Sequence, residues 1–383
     1  MRAPLIMSSA LLTLAKIAAA QTPGFWPTGL APGMNQGKVT GLSADGGAAV
    51  GWEINASATS APGFSWTRQG GRVDFGLLPG MPSSTPANGV SGPIIVGTMN
   101  ATSLTSARAY RWTGSGPLQD LGVLPSPETR SYGYGVSGDG SVVVGGCEYT
   151  SSTSAYGQAF RWTAQTGMVG LGYAQTGGSF SRAVGVSRDG GTIVGYSQSF
   201  GPTEPYVGFR WTQATGMQAL PFLPGGTVPY SQANAVSANG QVIVGNAVSP
   251  QTQNTTAVLW LNGAPQDLGS LPGFVSSALA VNDAGDVVGG HVYTGITSFA
   301  FVWTPSTGMQ LLSDRLAAAG VSVPSNYRLE SIFAESGDGL TFGDQALNLT
   351  TGVREGFVAT IPPPASILIL ALPALVRRKR PAA

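Results

Sequence analysis

The chain consists largely of short segments in which apolar and polar residues alternate, separated by glycine-rich turns. In the clearest copy, residues 183–187 alternate, an Asp-Gly turn follows at residues 188–190, and residues 192–195 form a β-branched run. After a variable loop, residues 208–212 and 218–220 alternate again. A period of two predicts strands and Asp-Gly predicts hairpin turns, so this unit of about 48 residues predicts four antiparallel strands.

A tryptophan, usually within Phe-Arg-Trp-Thr, recurs in the third predicted strand at intervals of 46, 50, 49, 49 and 43 residues. The six positions are Trp66, Trp112, Trp162, Trp211, Trp260 and Trp303. A series of Val-Gly pairs marks the second strand, with its glycines at Gly51, Gly97, Gly145, Gly195, Gly245 and Gly289. A period of about 40 to 50 residues indicates a stacked repeat architecture, because one unit alone cannot bury its apolar face.

Six copies of the unit are clear, and a degenerate seventh follows at residues 331–359. The seventh copy lacks a fourth strand, whereas residues 25–33 match the end of other units. We therefore predict an all-β, seven-bladed β-propeller in which an N-terminal strand completes the last blade and closes the ring. An open β-solenoid is the alternative, because repeat stacking alone does not require a ring.

The repeated aromatic residues are predicted to form the core. Phe209 and Trp211 share one face of their strand, since the side-chain period is two, and such pairs are expected to wedge between adjacent sheets. Each buried ring removes roughly 150–250 Å² from water. Residues 313–320 predict a single helix inserted between blades six and seven, with Ser313 or Asp314 as its cap and Gly320 at its end.

Both ends of the chain carry sequences typical of sorting signals. Residues 1–20 have a basic start, an apolar stretch and small residues before Gln21, which predicts an export signal. Residues 362–383 contain a proline run, twelve mostly apolar residues and a basic cluster. Twelve residues rise only about 18 Å as a helix, less than the roughly 30 Å of a hydrocarbon core, so a transient membrane tail is predicted and a plain short anchor is the alternative. The tail's marker residues are Pro362, Pro363, Pro364, Arg377, Arg378, Lys379 and Arg380.

Composition narrows the functional classes. Only 10% of residues are charged and 56 are glycine, as in turn-rich all-β proteins. A single cysteine, Cys147, and a single histidine, His291, exclude an intramolecular disulfide and a conventional zinc site. Six of the 19 basic residues and none of the 18 acidic residues lie in the terminal segments, so the body carries a net charge of −5. Nucleic acid is therefore not an expected partner.

The sequence shows no catalytic constellation. Its recurrent acidic residues fall at turns, where hairpin geometry explains them and the spacing of a calcium loop is missing: Asp45, Asp139, Asp189, Asp283 and Asp338. His291 has no suitably spaced partners for a triad, and Cys147 is predicted to be a packing residue. The sequence therefore predicts no catalytic residue, no cofactor and no metal site.

If the molecule has a binding face, the variable loops between the second and third strands indicate where it lies. They are rich in Ser, Thr and Asn and contain Tyr149, Tyr156, Tyr206 and Tyr293. Hydroxyl groups and tyrosines on rigid loops suit polar, sugar-like ligands, although solvated hairpin tips have the same composition.

Phe-Arg-Trp-Thr, Gly-Met-x-x-Leu and Leu-Pro-Gly-Gly, with Val-Ser-x-Asp-Gly and Val-Val-Gly, together resemble the HAF repeat of bacterial exported proteins. The resemblance covers residues 25 to about 361 and is clearest at residues 135–172 and 185–220. The tail resembles the PEP-CTERM signal, which an exosortase is thought to remove, with Pro363 in place of the usual glutamate. The resemblance implies a surface or matrix protein, and it brings no catalytic or binding residues.

These observations predict three segments, namely a signal peptide at 1–20, a repeat propeller at 21–361 and a sorting tail at 362–383. We expect an exported protein at the cell surface or in the extracellular matrix, with a non-enzymatic structural or adhesive role. The expected partners are the export machinery, an exosortase-like protease, and extracellular polysaccharide or another surface protein. The alternative is a propeller glycosidase or lyase acting on extracellular polysaccharide, which requires a carboxylate pair about 5–10 Å apart in the channel.

Overall fold

The structure, a computed structural model, describes residues 22–57, 61–76, 86–99, 106–125, 127–150, 155–199, 205–225 and 228–363. The predicted signal peptide and the sorting residues Pro364, Arg377, Arg378, Lys379 and Arg380 lie outside these ranges. Within the described ranges, no helix is long and apolar enough to cross a membrane.

The described strands form seven antiparallel blades, and each of the first six has four strands in sequence order. Single parallel bridges join blade 3 to blade 4 and blade 7 to blade 1, so the seven blades make five continuous sheets. Blade 1 contains β2 (Gln36–Leu42), β3 (Ala48–Ile54), β4 (Gly63–Thr67) and β5 (Gly71–Gly76). Blade 2 contains β6 (Ala87–Ser91), β7 (Ile94–Met99), β8 (Arg108–Trp112) and β9 (Gln119–Asp120). Blade 3 contains β10 (Arg130–Val136), β11 (Val143–Thr150), β12 (Ala155–Thr163) and β13 (Gly167–Gly170).

The remaining blades follow the same order. Blade 4 contains β14 (Gly178–Val186), β15 (Thr192–Ser199), β16 (Val207–Thr212) and β17 (Gly216–Ala219). Blade 5 contains β18 (Ser231–Val236), β19 (Val242–Val248), β20 (Thr255–Leu261) and β21 (Ala264–Gly269). Blade 6 contains β22 (Val275–Val281), β23 (Val288–Tyr293), β24 (Ser298–Thr304) and β25 (Gly308–Leu311). Blade 7 is built from β26 (Tyr327–Leu329), β27 (Ala334–Glu335), β28 (Thr341–Asn348), β29 (Arg354–Thr360) and the N-terminal β1 (Gly24–Pro27).

The ring closes between the two ends of the repeat region. β1 pairs antiparallel with β29, from Gly24 opposite Thr360 to Pro27 opposite Phe357. Innermost strands from all seven blades line one central cavity, and this arrangement requires a closed ring. The prediction of a seven-bladed propeller completed by an N-terminal strand is therefore confirmed, and the open solenoid is excluded.

The aromatic residues of each third strand pack against the preceding blade. Phe160 and Trp162 contact Ile94 and Val96 of blade 2, for example. Of the six repeat tryptophans, Trp66, Trp162, Trp260 and Trp303 are buried, while Trp112 and Trp211 are half-buried. The blades are thus joined by apolar contacts as well as by inter-blade hydrogen bonds.

Two details differ from the predictions. The inserted helix α1 (Leu312–Ala318) begins after Leu311, which has no side-chain cap, so Ser313 and Asp314 do not cap it. Gly320 does follow its end with a positive φ of 75°, a conformation that glycine adopts without strain. In blade 6 the residue equivalent to Gly51 is Gly290 rather than Gly289, because Gly290 pairs with Ala278 as Gly51 pairs with Val39.

Candidate functional site

The central cavity has a volume of about 510 Å³ and lies along the innermost strands of all seven blades. Volumes of roughly 300–1,000 Å³ are usual for small-ligand sites. The cavity consists of three layers, which succeed one another from the start of each innermost strand to the Asp-Gly turn at its end.

The first layer, which we call the channel mouth, lies at the start of the innermost strands, and the cavity is lined there by Lys38, Trp52, Arg182, Tyr196 and Gln232 of blades 1, 4 and 5. The positions of these residues are occupied in blades 1 to 6 by the following pairs on the innermost and second strands: Lys38 and Trp52, Pro86 and Thr98, Tyr132 and Gly146, Arg182 and Tyr196, Gln232 and Asn246, and Ser277 and His291. The pair differs in every blade, although the residues around it repeat. Variation on a repeated scaffold is typical of a surface that recognises a ligand.

The middle layer contains side chains that also join neighbouring blades. The amide of Asn88 donates to the carbonyl of Gly133 at 2.8 Å, and that of Asn234 donates to Ala278 at 2.8 Å. The Thr40 hydroxyl donates to the carbonyl of Ala87 at 2.5 Å. These side chains fix the spacing of the blades around the cavity, and Tyr134 and Phe333 occupy the same layer.

The third layer, which we call the waist, is apolar in six blades. Its residues are Leu42, Val90, Val136, Val186, Val236 and Val281, and blade 7 contributes Glu335. Beyond the waist, Arg188 of blade 4 forms an ion pair with Asp283 of blade 6. This pair joins two blades at the turn end of the channel.

Lys38 is the cation of the mouth that forms no ion pair among the described residues, although it interacts electrostatically with the buried Asp344. Its Nζ lies 4.6 Å from the Phe333 ring centre and 5.6 Å from that of Trp52. Among the described residues, no carboxylate oxygen lies within ion-pair distance of this ammonium group. Arg182 differs, because it forms an ion pair with Glu148, which also lies 3.7 Å from Arg130.

Aromatic rings surround Arg182. Its guanidinium carbon lies 5.3 Å from the ring centre of Phe180, 5.5 Å from that of Tyr134 and 6.0 Å from that of Tyr196. Burial raises the pKa of Tyr134, so this phenol stays protonated and can donate a hydrogen bond. The mouth therefore combines rigid aromatic faces with fixed polar groups.

Two buried carboxyl groups belong to blade 7. Asp344 stands where blades 1 to 6 have glycine, accepts a hydrogen bond from Ser331, and has its Oδ1 buried without a partner. Burial raises its pKa, and the charge of Lys38 opposes that shift. Glu335 has both carboxyl oxygens buried without a hydrogen-bond partner, and burial raises its pKa well above the usual value.

The residues singled out from the sequence lie elsewhere or have structural roles. Asp45, Asp139, Asp189 and Asp338 each accept hydrogen bonds within their own turns, and Asp283 pairs with Arg188. Cys147 is fully buried, and burial raises its pKa to about 12. Burial lowers the pKa of His291 to about 4, so the ring is neutral near neutral pH; it packs edge-on against Tyr293. The described residues contain no group of three or more His, Cys, Asp or Glu side chains arranged to hold a metal.

Solved structures of other propellers are similar to this fold. An oligogalacturonate lyase in complex with manganese matches over 90% of this chain and 95% of its own, with 11% identity and a TM-score of 0.57. The propeller domain of the Trilobed protease from Pyrococcus furiosus matches over 85% and 95%, with 8% identity and a TM-score of 0.57. A puromycin hydrolase matches over 90% and 57%, with 13% identity and a TM-score of 0.55. No protein-family model and no curated protein sequence matches the chain.

These comparisons correct the function expected from the sequence and do not bear on the expected family. The similar propellers are mainly enzymes, which overturns the non-enzymatic structural or adhesive role expected from the sequence and favours its alternative. At 8–13% identity the similarity shows the fold, and any activity is a proposal. The resemblance to HAF repeats and to a PEP-CTERM tail stays a prediction.

Proposed function

We propose that the protein is an enzyme that cleaves an anionic extracellular polysaccharide at the channel mouth, and that it is a lyase. The observation that carries this proposal is Lys38, a cation that faces the cavity between two aromatic rings and has no carboxylate partner among the described residues. An uncompensated cation in a concave, partly apolar site attracts anions strongly. Acidic sugars combine an anionic group with an apolar ring face that packs on aromatic side chains.

The charge balance of the cavity supports an anionic ligand. The lining contains Lys38, Arg182 and Glu335 as its ionisable residues apart from tyrosines. Glu148 pairs with Arg182, and burial raises the pKa of Glu335 and of Asp344, the acid that interacts with Lys38, which favours the uncharged form of both. The cavity therefore has a positive charge even though the body of the protein is negative overall.

The number of carboxyl groups in the cavity lining favours cleavage of the polysaccharide by elimination over cleavage by hydrolysis. Most glycosidases place two carboxyl groups on either side of the bond that they break. The described cavity lining contains one, Glu335. A lyase removes the proton next to the uronate carboxylate and breaks the neighbouring carbon–oxygen bond. A carbon–carbon double bond forms in the uronate ring. The removed proton ends on the oxygen atom that leaves, so the reaction consumes no water. A cation on the uronate carboxylate stabilises the charge that develops during this reaction.

Incubation of the protein with polygalacturonate tests the proposal. A lyase produces an unsaturated uronate that absorbs in the ultraviolet, together with new reducing ends. We expect Lys38→Met to lower turnover at least about a hundredfold, as for removal of one group that stabilises developing charge. Arg161→Met is the matched control, because Arg161 lies on β12 and does not line the cavity. Reducing ends without ultraviolet absorbance identify a glycosidase, and the absence of both products contradicts the proposal.

We also propose that the protein acts outside the cell, which rests on the predicted signal peptide and on the tail from Pro362 to Arg380. Cell fractionation and intact mass measurement of the native protein test this. A mature form without residues 1–20 and without the tail beyond about Pro364, found outside the cell, is the expected result. An uncleaved tail in the inner membrane contradicts the sorting signal.

A further inference from the structure

A second group of cavity-lining side chains lies across the channel from Lys38. Arg182 and Tyr196 line the cavity and hold in blade 4 the positions that Lys38 and Trp52 hold in blade 1. The innermost strands contact one another in chain order around the ring. Two blades therefore separate blade 4 from blade 1 on one side and three on the other, so Arg182 and Tyr196 face Lys38 across the channel.

Arg182 fixes the aromatic rings of this group. Its Nη1 donates a hydrogen bond to the Tyr196 hydroxyl at 3.2 Å, and its Nη2 forms the ion pair with Glu148. Three aromatic rings, including those of Tyr134 and Tyr196, have their centres within 6.0 Å of the guanidinium carbon. The Tyr196 ring also packs edge-on against Tyr206, with ring centres 5.1 Å apart. The rings are therefore held in place before a ligand binds, which lowers the entropic cost of binding.

The polar groups beside these rings have hydrogen-bonding capacity that the protein does not use. The Tyr134 hydroxyl makes no hydrogen bond to another described residue. The Tyr196 hydroxyl accepts its bond from Arg182, so its own hydrogen is free to donate. Gln232 of the adjoining blade 5 also lines the cavity, and its amide has no hydrogen bond within the described part of the chain. Half-buried polar groups of this kind bond to water or to a ligand.

The chemistry of this group differs from that of Lys38. Its unused donors are uncharged, and they lie beside aromatic faces. Hydroxyl groups pair with such donors, and the apolar face of a sugar ring packs on an aromatic side chain. A sugar unit therefore fits this group without needing a carboxylate.

We propose that Tyr134, Tyr196 and Gln232 form a second sugar subsite, which binds the hydroxyl groups and ring face of another unit of the chain whose acidic sugar is held by Lys38. The ligand then spans the channel, so the protein recognises an oligosaccharide and not a single uronate. The inference rests on the proposed function, because it concerns the same cavity and the same class of ligand. Lys38 selects for charge, and the second subsite selects for chain length.

The experiment is calorimetric titration of the full chain with galacturonate and with trigalacturonate. We expect the wild type to bind the trimer at least about tenfold more tightly, because the trimer gains hydrogen bonds at the second subsite. Tyr134→Phe and Tyr196→Phe keep the rings and each remove one hydroxyl. Each is expected to weaken trimer binding about fivefold and to leave galacturonate binding unchanged. Lys38→Met is expected to weaken binding of both ligands.

Tyr327→Phe is the matched control, because it removes a tyrosine hydroxyl from β26 of blade 7, where the side chain bonds to Glu355 and does not line the central cavity. It is expected to bind both ligands as the wild type does. Equal wild-type affinity for the two ligands contradicts the second subsite and leaves the proposed function intact. Phe variants of Tyr134 and Tyr196 that bind the trimer normally, or that weaken both ligands equally, also contradict it. A wild type that binds neither ligand contradicts the proposed function itself.

Discussion

At the scale of single residues, Glu335 combines a cost in stability with a position in the cavity. Its carboxyl group lies where six blades have an aliphatic side chain, and both oxygens lack partners. A buried polar group without a partner destabilises a fold by about 1–3 kcal/mol.

The same residue predicts how stability depends on pH. Glu335 has a folded-state pKa well above the usual 4.5, so above pH 4.5 the folded state retains a proton that the unfolded state has lost. The free energy of unfolding must then fall as pH rises from 4.5 toward the folded-state pKa. We expect Glu335→Val to raise the free energy of unfolding by about 1–3 kcal/mol near neutral pH, as measured by urea unfolding. We also expect this variant to lose the decrease in stability with pH that Glu335 causes. A less stable valine variant contradicts this account.

The turn aspartates stabilise the fold, unlike Glu335, and blade 5 supplies a natural control. Asp189 accepts hydrogen bonds from Ser187 and from the backbone of Gly191, and these bonds lower its pKa. Asn239 of blade 5 accepts the equivalent bonds from Ser237 and Gln241. The turn therefore requires a side-chain oxygen and no charge.

We expect Asp189→Asn to change the free energy of unfolding by less than about 0.5 kcal/mol, and Asp189→Ala to lower it by about 1 kcal/mol for the lost hydrogen bonds. Thermal unfolding with and without calcium is the measurement. Because the turn already occupies the aspartate oxygen, calcium is expected to leave the midpoint unchanged. A calcium-dependent rise that Asp189→Asn abolishes indicates a metal-binding turn instead.

At the scale of strands, the repeated glycine of the second strand is a steric requirement. A Cβ on Gly195 would lie 1.9 Å from the Arg182 carbonyl oxygen, a backbone atom that cannot move without breaking the pairing of β14 and β15. On Gly146, a Cβ would meet only the Arg182 side chain, at 3.5 Å. The first contact is forbidden and the second is ordinary packing.

We therefore expect Gly195→Ala to lower the free energy of unfolding by about 3 kcal/mol or more, because the strands must separate locally. Gly146→Ala is the matched control on the second strand of blade 3 and is expected to remain within about 1 kcal/mol of the wild type. Circular dichroism during thermal unfolding measures both. Equal effects of the two substitutions contradict the steric explanation.

The sequence predicted the blades well and the candidate site poorly, for a physical reason. Repeated turns and the Trp211-type aromatic residues recur because the scaffold requires them, so periodicity reveals them. The mouth pairs, such as Lys38 with Trp52, differ in each blade and therefore carry no period. The available signal for these pairs was the position of the second-strand member, such as Trp52, just after the repeated Val-Gly pair. Glu335 lies in the degenerate seventh copy, where a departure from the repeat is hard to distinguish from sequence divergence.

At the scale of the whole molecule, β1 holds the ring closed. Phe25 packs against Phe357 and Tyr327 with ring centres 5.8 and 5.5 Å apart, and the Trp26 ring lies 4.1 Å from the Arg68 guanidinium carbon. Without β1, the last blade loses its outer strand and β29 becomes an exposed edge. Because Lys38 belongs to blade 1 and Phe333 to blade 7, the mouth depends on the same closure.

Closure predicts a link between the N-terminal strand and ligand binding. We expect Trp26→Ala to lower the free energy of unfolding by about 1–3 kcal/mol, less than for a fully buried tryptophan, because Trp26 is half-buried. Deletion through Pro27 is expected to cause association through the exposed β29 edge, measured by size-exclusion chromatography. Deletion is also expected to weaken trigalacturonate binding, since blades 7 and 1 separate at Lys38. Ile296→Ala is the matched control, because Ile296 is 92% exposed and removes no comparable contact. A monomeric deletion variant with normal affinity for trigalacturonate contradicts the dependence of the site on ring closure.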